Sequence, residues 1–228
     1  MSGPRGILLY GPPGNGKTLL AKAAAGEAEA HVEIVSGPEI LTMWLGESER
    51  KLREIFGRAR ELSPSVILFD ELDALGFSRD AAGSSMNSVI AQLLALLDGV
   101  LERGEVFVIG TTNRRDAVDA ALLRPGRFER CVEVGPPDKT GRAEILARYL
   151  GKMTTSGDID VEFLAARTMD FSGADLEYLC RRAGMLCIQE AVAAEIASDK
   201  VAVNAGHFDR ALRELIAAKN TQGRIAPR

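Results

Sequence analysis

Residues 11–18 read Gly-Pro-Pro-Gly-Asn-Gly-Lys-Thr and stand between two segments of opposite character. Ile7–Tyr10 is apolar and suits a buried strand, whereas the stretch after Thr18 is alanine- and leucine-rich and suits a helix. The eight residues fit the spacing G-x-x-x-x-G-K-[ST] at every fixed position, in the strand-to-helix setting that gives the spacing its meaning. Glycines let main-chain N–H groups converge on phosphate oxygens, and the following helix adds its positive end. Lys17 would neutralise β- and γ-phosphate charge, and Thr18 would ligate Mg²⁺.

Four more short apolar runs follow, at Val32–Val35, Val66–Phe69, Val106–Gly110 and Cys131–Val134, and helical stretches alternate with them. Runs this short and apolar on both faces predict a parallel sheet covered by helices on each side. Leu52, Ile55, Phe56, Ala59 and Leu62 recur at helical spacing, and Ser63-Pro64 ends that helix. A second buried helix spans Ser88–Gly99, with Gly99 as its stop, and the polar stretch Arg79–Ser88 reads as a loop. After Pro136-Pro137 the pattern turns wholly helical. We place the boundary there, with an α/β unit over 1–137 and a helical unit over 138–228. One helix has a clear start, because Ser172 can cap while Asp175 reaches back and Phe171 packs on Leu176.

The third apolar run ends in Asp70-Glu71, at the strand edge where parallel sheets place ligands. Asp70 would hold Mg²⁺ through water, and Glu71 would polarise an attacking water. Without a phosphate cradle upstream, the two acids would read equally well as charges at a helix start. The fourth run leads to Asn113, which would bond both the γ-phosphate and that water or else simply shape the turn. Arg124, Arg127 and Arg130 cluster before the last run. Such arginines are usually just solvated surface charges, yet besides Lys17 the sequence offers no obvious second cation for the developing charge. If these residues project into a neighbouring subunit's site, hydrolysis requires assembly.

These motifs, with LLRPGRFER and FSGADLEYLCRRA, stand in the order and spacing of the AAA ATPases, and the chain resembles the valosin-containing protein and NSF group. The resemblance implies a P-loop NTPase sheet of five parallel strands in the order 5-1-4-3-2, flanked by helices and joined to a small helical lid. It implies a homo-oligomeric ring, usually a hexamer, that spends ATP on unfolding protein clients. By motif match, Gly11, Pro12, Pro13, Gly14, Asn15, Gly16, Lys17, Thr18 and Leu19 fall on the nucleotide-binding loop. Asp70 and Glu71 fall on the Walker B pair, Asn113 on sensor 1, Arg127 and Arg130 on the trans-acting finger positions, and Gly173 and Ala174 on the lid segment near the nucleotide. Met43, Trp44, Leu45 and Gly46 are similar to the first pore loop, where an aromatic step grips an extended polypeptide. Read alone, the lone tryptophan would belong to the core. Ala82–Asn87 falls on the second pore loop.

The chain also departs from the family. It starts almost on its first strand, so we expect a piece of a larger protein in which adenine contacts are incomplete. Arg115 replaces a customary proline, Asn87-Ser88 replaces an Asp-Arg pair, and Tyr149 stands where a histidine often lies near the ribose.

Composition narrows the remaining functions. The net charge is −4 and there is no basic stripe, which weighs against a nucleic-acid motor. No apolar run reaches the ~20 residues of a membrane span. Three cysteines without Cys-x-x-Cys spacing predict reduced thiols in a cytoplasmic protein, with Cys180 and Cys187 in a helix core. His31 and His207 lack ligand-like neighbours and read as surface or helix-edge residues. No Asn-Lys-x-Asp is present, so adenine is favoured over guanine. Against the unfoldase stands a nucleotide-switched scaffold with incidental turnover. A small-molecule kinase is weaker, because Glu71 and Asn113 are placed to activate water.

Overall fold

The computed structural model of the chain describes residues 6–41, 46–76, 84–101, 106–157, 159–195 and 201–225. The chain divides into two compact units, Met1–Gly135 and Pro136–Arg228. In the first unit, strands β1 (Gly6–Tyr10), β2 (His31–Ser36), β3 (Ser65–Asp70), β4 (Val106–Thr112) and β5 (Arg130–Glu133) form one sheet. Helices α1 (Lys17–Glu27), α2 (Gly37–Leu41), α3 (Glu47–Glu61), α4 (Leu72–Gly76) and α5 (Ser84–Leu101) connect them. All pairings are parallel and the order is β2-β3-β4-β1-β5, which is the expected 5-1-4-3-2 order read from the other edge.

Successive side chains of a strand point to opposite faces, and the core divides accordingly. Leu8, Ile67, Phe69 and Val108 face one way, onto Leu52, Ile55, Phe56 and Ala59 of α3 and Leu93 and Leu97 of α5. Leu9, Val66, Leu68 and Ile109 face the other way, onto Ala21 and Ala25 of α1. The rings of Phe56 and Phe69 lie 6.1 Å apart, and those of Phe69 and Phe128 meet edge-on at 6.5 Å. Such pairs contribute about 0.5–1.5 kcal/mol beyond their buried area. Gly110 lets α4 settle on the centre of the sheet, because a Cβ there would stand 2.4 Å from Leu72 Cδ1.

Four expectations need correction. Double-sided burial fails at the sheet edges, where Ile34 on β2 is 51% exposed and Val132 on β5 is 39% exposed. An edge strand has a neighbour on one side only, so fewer helices reach across it. Leu62 lies beyond the end of α3 and is half exposed, so it is no part of the buried stripe. Gly99 does not stop its helix, and α5 continues to Leu101. Glycine terminates a helix when it turns left-handed, and inside one it costs only about 1 kcal/mol. Last, residues 84–88 belong to α5 rather than to a loop.

The second unit holds α6 (Lys139–Leu150), α7 (Val161–Arg167), α8 (Gly173–Ala193) and α9 (Ala205–Ile225). Its core gathers Leu146, Leu164, Phe171, Leu176, Leu179, Cys180, Cys187, Phe208 and Leu212. Ser172 and Asp175 form the reciprocal capping box at the start of α8, and Phe171 and Leu176 are both buried beside it. Burial pushes the Cys180 thiol up to about 12, which makes it a packing residue and not a nucleophile. His207 is buried rather than superficial. Its Nδ1 accepts from the Asn204 amide at 3.1 Å and its Nε2 lies 3.2 Å from Glu190. Among the described residues no helix is long and apolar enough to cross a membrane.

The β2 edge is latched to α3 by charge. Arg58 donates to both carboxylate oxygens of Glu33, at 2.9 and 3.0 Å, and His31 lies 3.0 Å from the same group. The Arg58 hydrogen bond outweighs burial and, with His31, pulls the Glu33 carboxyl down to about 2. A depressed acid stabilises the fold above its unfolded pKa and loses that contribution as pH falls through its folded pKa. The wild type is therefore expected to exceed Glu33→Gln in urea midpoint at pH 7. The gap should shrink as pH drops from 4.5 toward about 2. A gap that stays constant over that window contradicts the latch.

Candidate active site

Parallel strands bring all their carboxyl ends to one sheet edge, and the predicted residues collect there. Tyr10 pairs with Thr112 and with Glu133, while Ser36 pairs with Asp70. The loop leaving β1 therefore opens beside the tips of β3 and β4.

In that loop Gly11, Gly14 and Gly16 all have positive φ, at 142°, 79° and 80°. At Gly11 a Cβ would stand 2.4 Å from the Val134 carbonyl, so the loop lies directly against the end of β5. Asn15 closes the same contact, its amide reaching the Val134 carbonyl at 3.5 Å. Gly16 caps α1 without a side chain, and among the described residues no side-chain cap bonds the first-turn N–H groups. Those N–H groups are left for an anion. Pro12, Pro13 and Gly14 are exposed along the rim, and Leu19 is 70% exposed on the first turn of α1.

Lys17 is buried, and its ammonium donates to the carbonyls of Gly11 and Pro12 at 2.9 and 2.8 Å. Burial lowers its pKa, against the opposing pull of Asp73 and then Asp70. The cation thus holds the loop in shape from inside while facing two acids.

Thr18 Oγ1 donates to Asp70 Oδ1 at 2.8 Å. Two hard oxygen ligands from separate elements meet at this point, and they fit Mg²⁺, which takes oxygen donors and keeps several waters. Among the described residues no group of three or more His, Cys, Asp or Glu side chains is placed to hold a metal by itself.

Glu71 follows Asp70 at the strand exit, with an exposed side chain and a φ of 57°. The left-handed region costs a non-glycine residue about 1–2 kcal/mol. Asn113 is exposed at the tip of β4, on the same edge. Its turn is set by Thr112, whose hydroxyl accepts from the Arg114 amide at 3.0 Å and donates to Asp73 at 2.8 Å. Arg115 opens a 3₁₀ turn, Arg115–Ala117, and stacks 5.0 Å above the Tyr10 ring, so the turn forms without the customary proline.

Sequence reasoning missed Thr111, Thr112 and Asp73. Thr111 and Thr112 are 2% and 1% exposed, and both hydroxyls bind acids of the β3 exit. The signal was present, because two hydroxyls at the end of a buried strand require partners.

Arg127 sits away from this cluster in an intramolecular grip. Its Nε and Nη2 each lie 2.8 Å from Asp98 oxygens, and Nη1 donates to the Ala121 carbonyl at 2.7 Å. The pair raises Arg127 and lowers Asp98, in each case first through their hydrogen bonds. Arg124 and Arg130 are exposed, and among the described residues their side chains form no ion pair. Gly173 and Ala174 open α8 in the second unit. There too, burial first and then the neighbouring Glu177 carboxylate raise the Tyr149 pKa. Met43, Trp44 and Leu45 lie outside the described residues. So does part of the Ala82–Asn87 stretch, while its remainder is the start of α5. Gly46 is the left-handed N-cap of α3, with φ 85°.

The sequence is similar to those of known proteins. Residues 7–136 match the ATPase family associated with various cellular activities (AAA), and residues 158–202 match the AAA+ lid domain. The Cell division cycle protein 48 homolog of Archaeoglobus fulgidus is 55% identical over 183 residues, covering 80% of this chain and 25% of that protein. Protein SAV of Sulfolobus acidocaldarius is 50% identical over 190 residues, covering 83% of this chain and 24% of that protein. The chain thus spans about a quarter of the length of these relatives. With its loop, acids and helical second unit accounted for, the chain belongs to the AAA family of ATPases, as an ATP-binding P-loop hydrolase.

Proposed function

We propose that this chain is the ATP-hydrolysing module of a ring-forming machine that remodels protein clients. The observation that carries the hydrolytic part of this reading is the 2.8 Å contact between Thr18 and Asp70, which joins the phosphate loop to the acid pair. The loop's main-chain N–H groups, which Pro12 and Pro13 lack, bind phosphate oxygens. Lys17 transfers its hydrogen bonds from the Gly11 and Pro12 carbonyls to the β- and γ-phosphates. Thr18 and, through water, Asp70 would hold Mg²⁺, which when bound would neutralise charge at those phosphates. Glu71 orients and polarises the attacking water, and Asn113 holds it against the γ-phosphate.

Arg127 and Arg130 act on the site of a neighbouring copy. A guanidinium carries five N–H groups, and the contacts to Asp98 and Ala121 engage three of its nitrogens once each. Donors therefore remain for a phosphate while Asp98 keeps the side chain aimed. The Met43–Gly46 segment is read as the pore loop, with Trp44 gripping the client by apolar contact. Identity above half with the relative named Cell division cycle protein 48 homolog supports a shared class of activity.

Three outcomes follow. Glu71→Gln should bind ATP by calorimetry and assemble by light scattering but show no turnover, and wild-type turnover in this variant contradicts the role of Glu71. Arg127→Ala should lose about 10³-fold or more in kcat. Mixing it with subunits mutated at Lys17 should restore part of the activity, whereas full turnover as a monomer defeats the trans assignment. Trp44→Ala should keep its ATPase rate and lose unfolding of a tagged fluorescent substrate, and undiminished unfolding removes the threading mechanism.

A further inference from the structure

Among the described residues the Glu71 carboxylate makes no hydrogen bond and no ion pair. Nothing on the side chain holds its direction, so the main chain must. That main chain is left-handed, with φ 57°, which a glutamate does not adopt without support.

Support comes from both sides of the residue. On its amide side, Glu71 N–H donates to Thr111 Oγ1 at 3.3 Å. The same hydroxyl donates to Asp70 Oδ1, so one buried group on β4 bridges the two acids of β3. On its carbonyl side, Glu71 accepts from the Ala74 amide at 3.0 Å. Gly37, the first residue of α2, leaves room for that carbonyl by having no Cβ. A Cβ at Gly37 would stand 2.4 Å from the Glu71 oxygen and 3.2 Å from its carbon. These are backbone atoms, so any side chain at position 37 must push the Glu71 peptide itself.

We propose that Thr111 and Gly37 are positioning residues for Glu71, which together fix the left-handed backbone from which its unsupported carboxylate projects toward the reacting water. The inference rests on the reading of Glu71 as the residue that polarises water. Thr111 supplies one donor and one acceptor, and valine has the same shape with neither. Valine would strand the Glu71 amide and leave Asp70 with Thr18 alone. The peptide could then rotate toward the right-handed region and carry the carboxylate away. Serine keeps both hydrogen bonds. Alanine at position 37 reaches the same peptide from the opposite side, without touching the hydroxyl.

The test compares wild type, Thr111→Val, Thr111→Ser, Gly37→Ala and Glu71→Gln by amide hydrogen exchange and steady-state ATPase. In Thr111→Val the Glu71 amide should exchange about tenfold faster, while the amides of β1 and α3 keep their wild-type rates. Its kcat should fall about 10–100-fold, the scale of a small misplacement, with KM for ATP and the Mg²⁺ half-saturation within about threefold of wild type. Thr111→Ser should restore both readouts, and Gly37→Ala should show the kcat loss at unchanged KM. Wild-type exchange at Glu71 in Thr111→Val overturns the inference whatever the turnover. So does a loss confined to KM or to Mg²⁺ dependence, which would place the effect on Asp70 alone. Wild-type turnover in Glu71→Gln instead overturns the underlying reading, and an inactive Glu71→Gln beside an unaffected Thr111→Val sinks only the positioning role.

Discussion

A hydroxyl on α1 meets a carboxylate at the end of β3, and the site depends on that meeting. Thr18 and Asp70 are 52 residues apart in sequence and 2.8 Å apart in space. The strand that leads into α1 is not a neighbour of β3, because β4 lies between β1 and β3. The contact therefore requires three strands to end level with one another, and parallel pairing arranges that. Thr111 fills the gap by reaching Asp70 from the intervening strand. Metal oxygens, water-activating acid and phosphate loop are thus consequences of one register.

The same register explains how a loop bent by glycines can be firm. Glycines at three left-handed positions give the main chain its curvature, but they cost conformational entropy. Lys17 offsets part of this by binding two loop carbonyls from a buried position. A charge-assisted hydrogen bond contributes about 1.5–3 kcal/mol, so the lysine that meets phosphate also preforms the cradle. Asp73 and Asp70 hold its charge against the effect of burial.

Much of this was legible in the chain because it is written locally. The five strands lie within a residue or two of the apolar runs, and the Ser172–Asp175 capping box is formed as its spacing indicated. The missed features depend on long-range partners or on backbone state. Thr111 and Thr112 read as ordinary strand residues until Asp70 and Asp73, some 40 positions away, arrive beside them. Gly99 reads as a stop only if the left-handed state is assumed, and the helix simply runs through it. Leu62 keeps the helical period but falls after the last turn. Arg127 reads as a free cation, whereas the fold gives it Asp98. At the edges, Ile34 and Val132 have strand-like sequence but lack the second layer that a central strand receives.

The central claim is that the chain's own oxygens and ammonium take over a bound triphosphate at the Thr18–Asp70 junction. The most direct measurement is a crystal structure with Mn²⁺ and a non-hydrolysable ATP analogue, read by anomalous scattering. The account predicts a manganese peak bonded to Thr18 Oγ1 with Asp70 in its outer sphere, and Lys17 Nζ moved from the Gly11 and Pro12 carbonyls onto phosphate oxygens. A manganese peak remote from Thr18, or a lysine still bound to its loop carbonyls beneath the triphosphate, would contradict it.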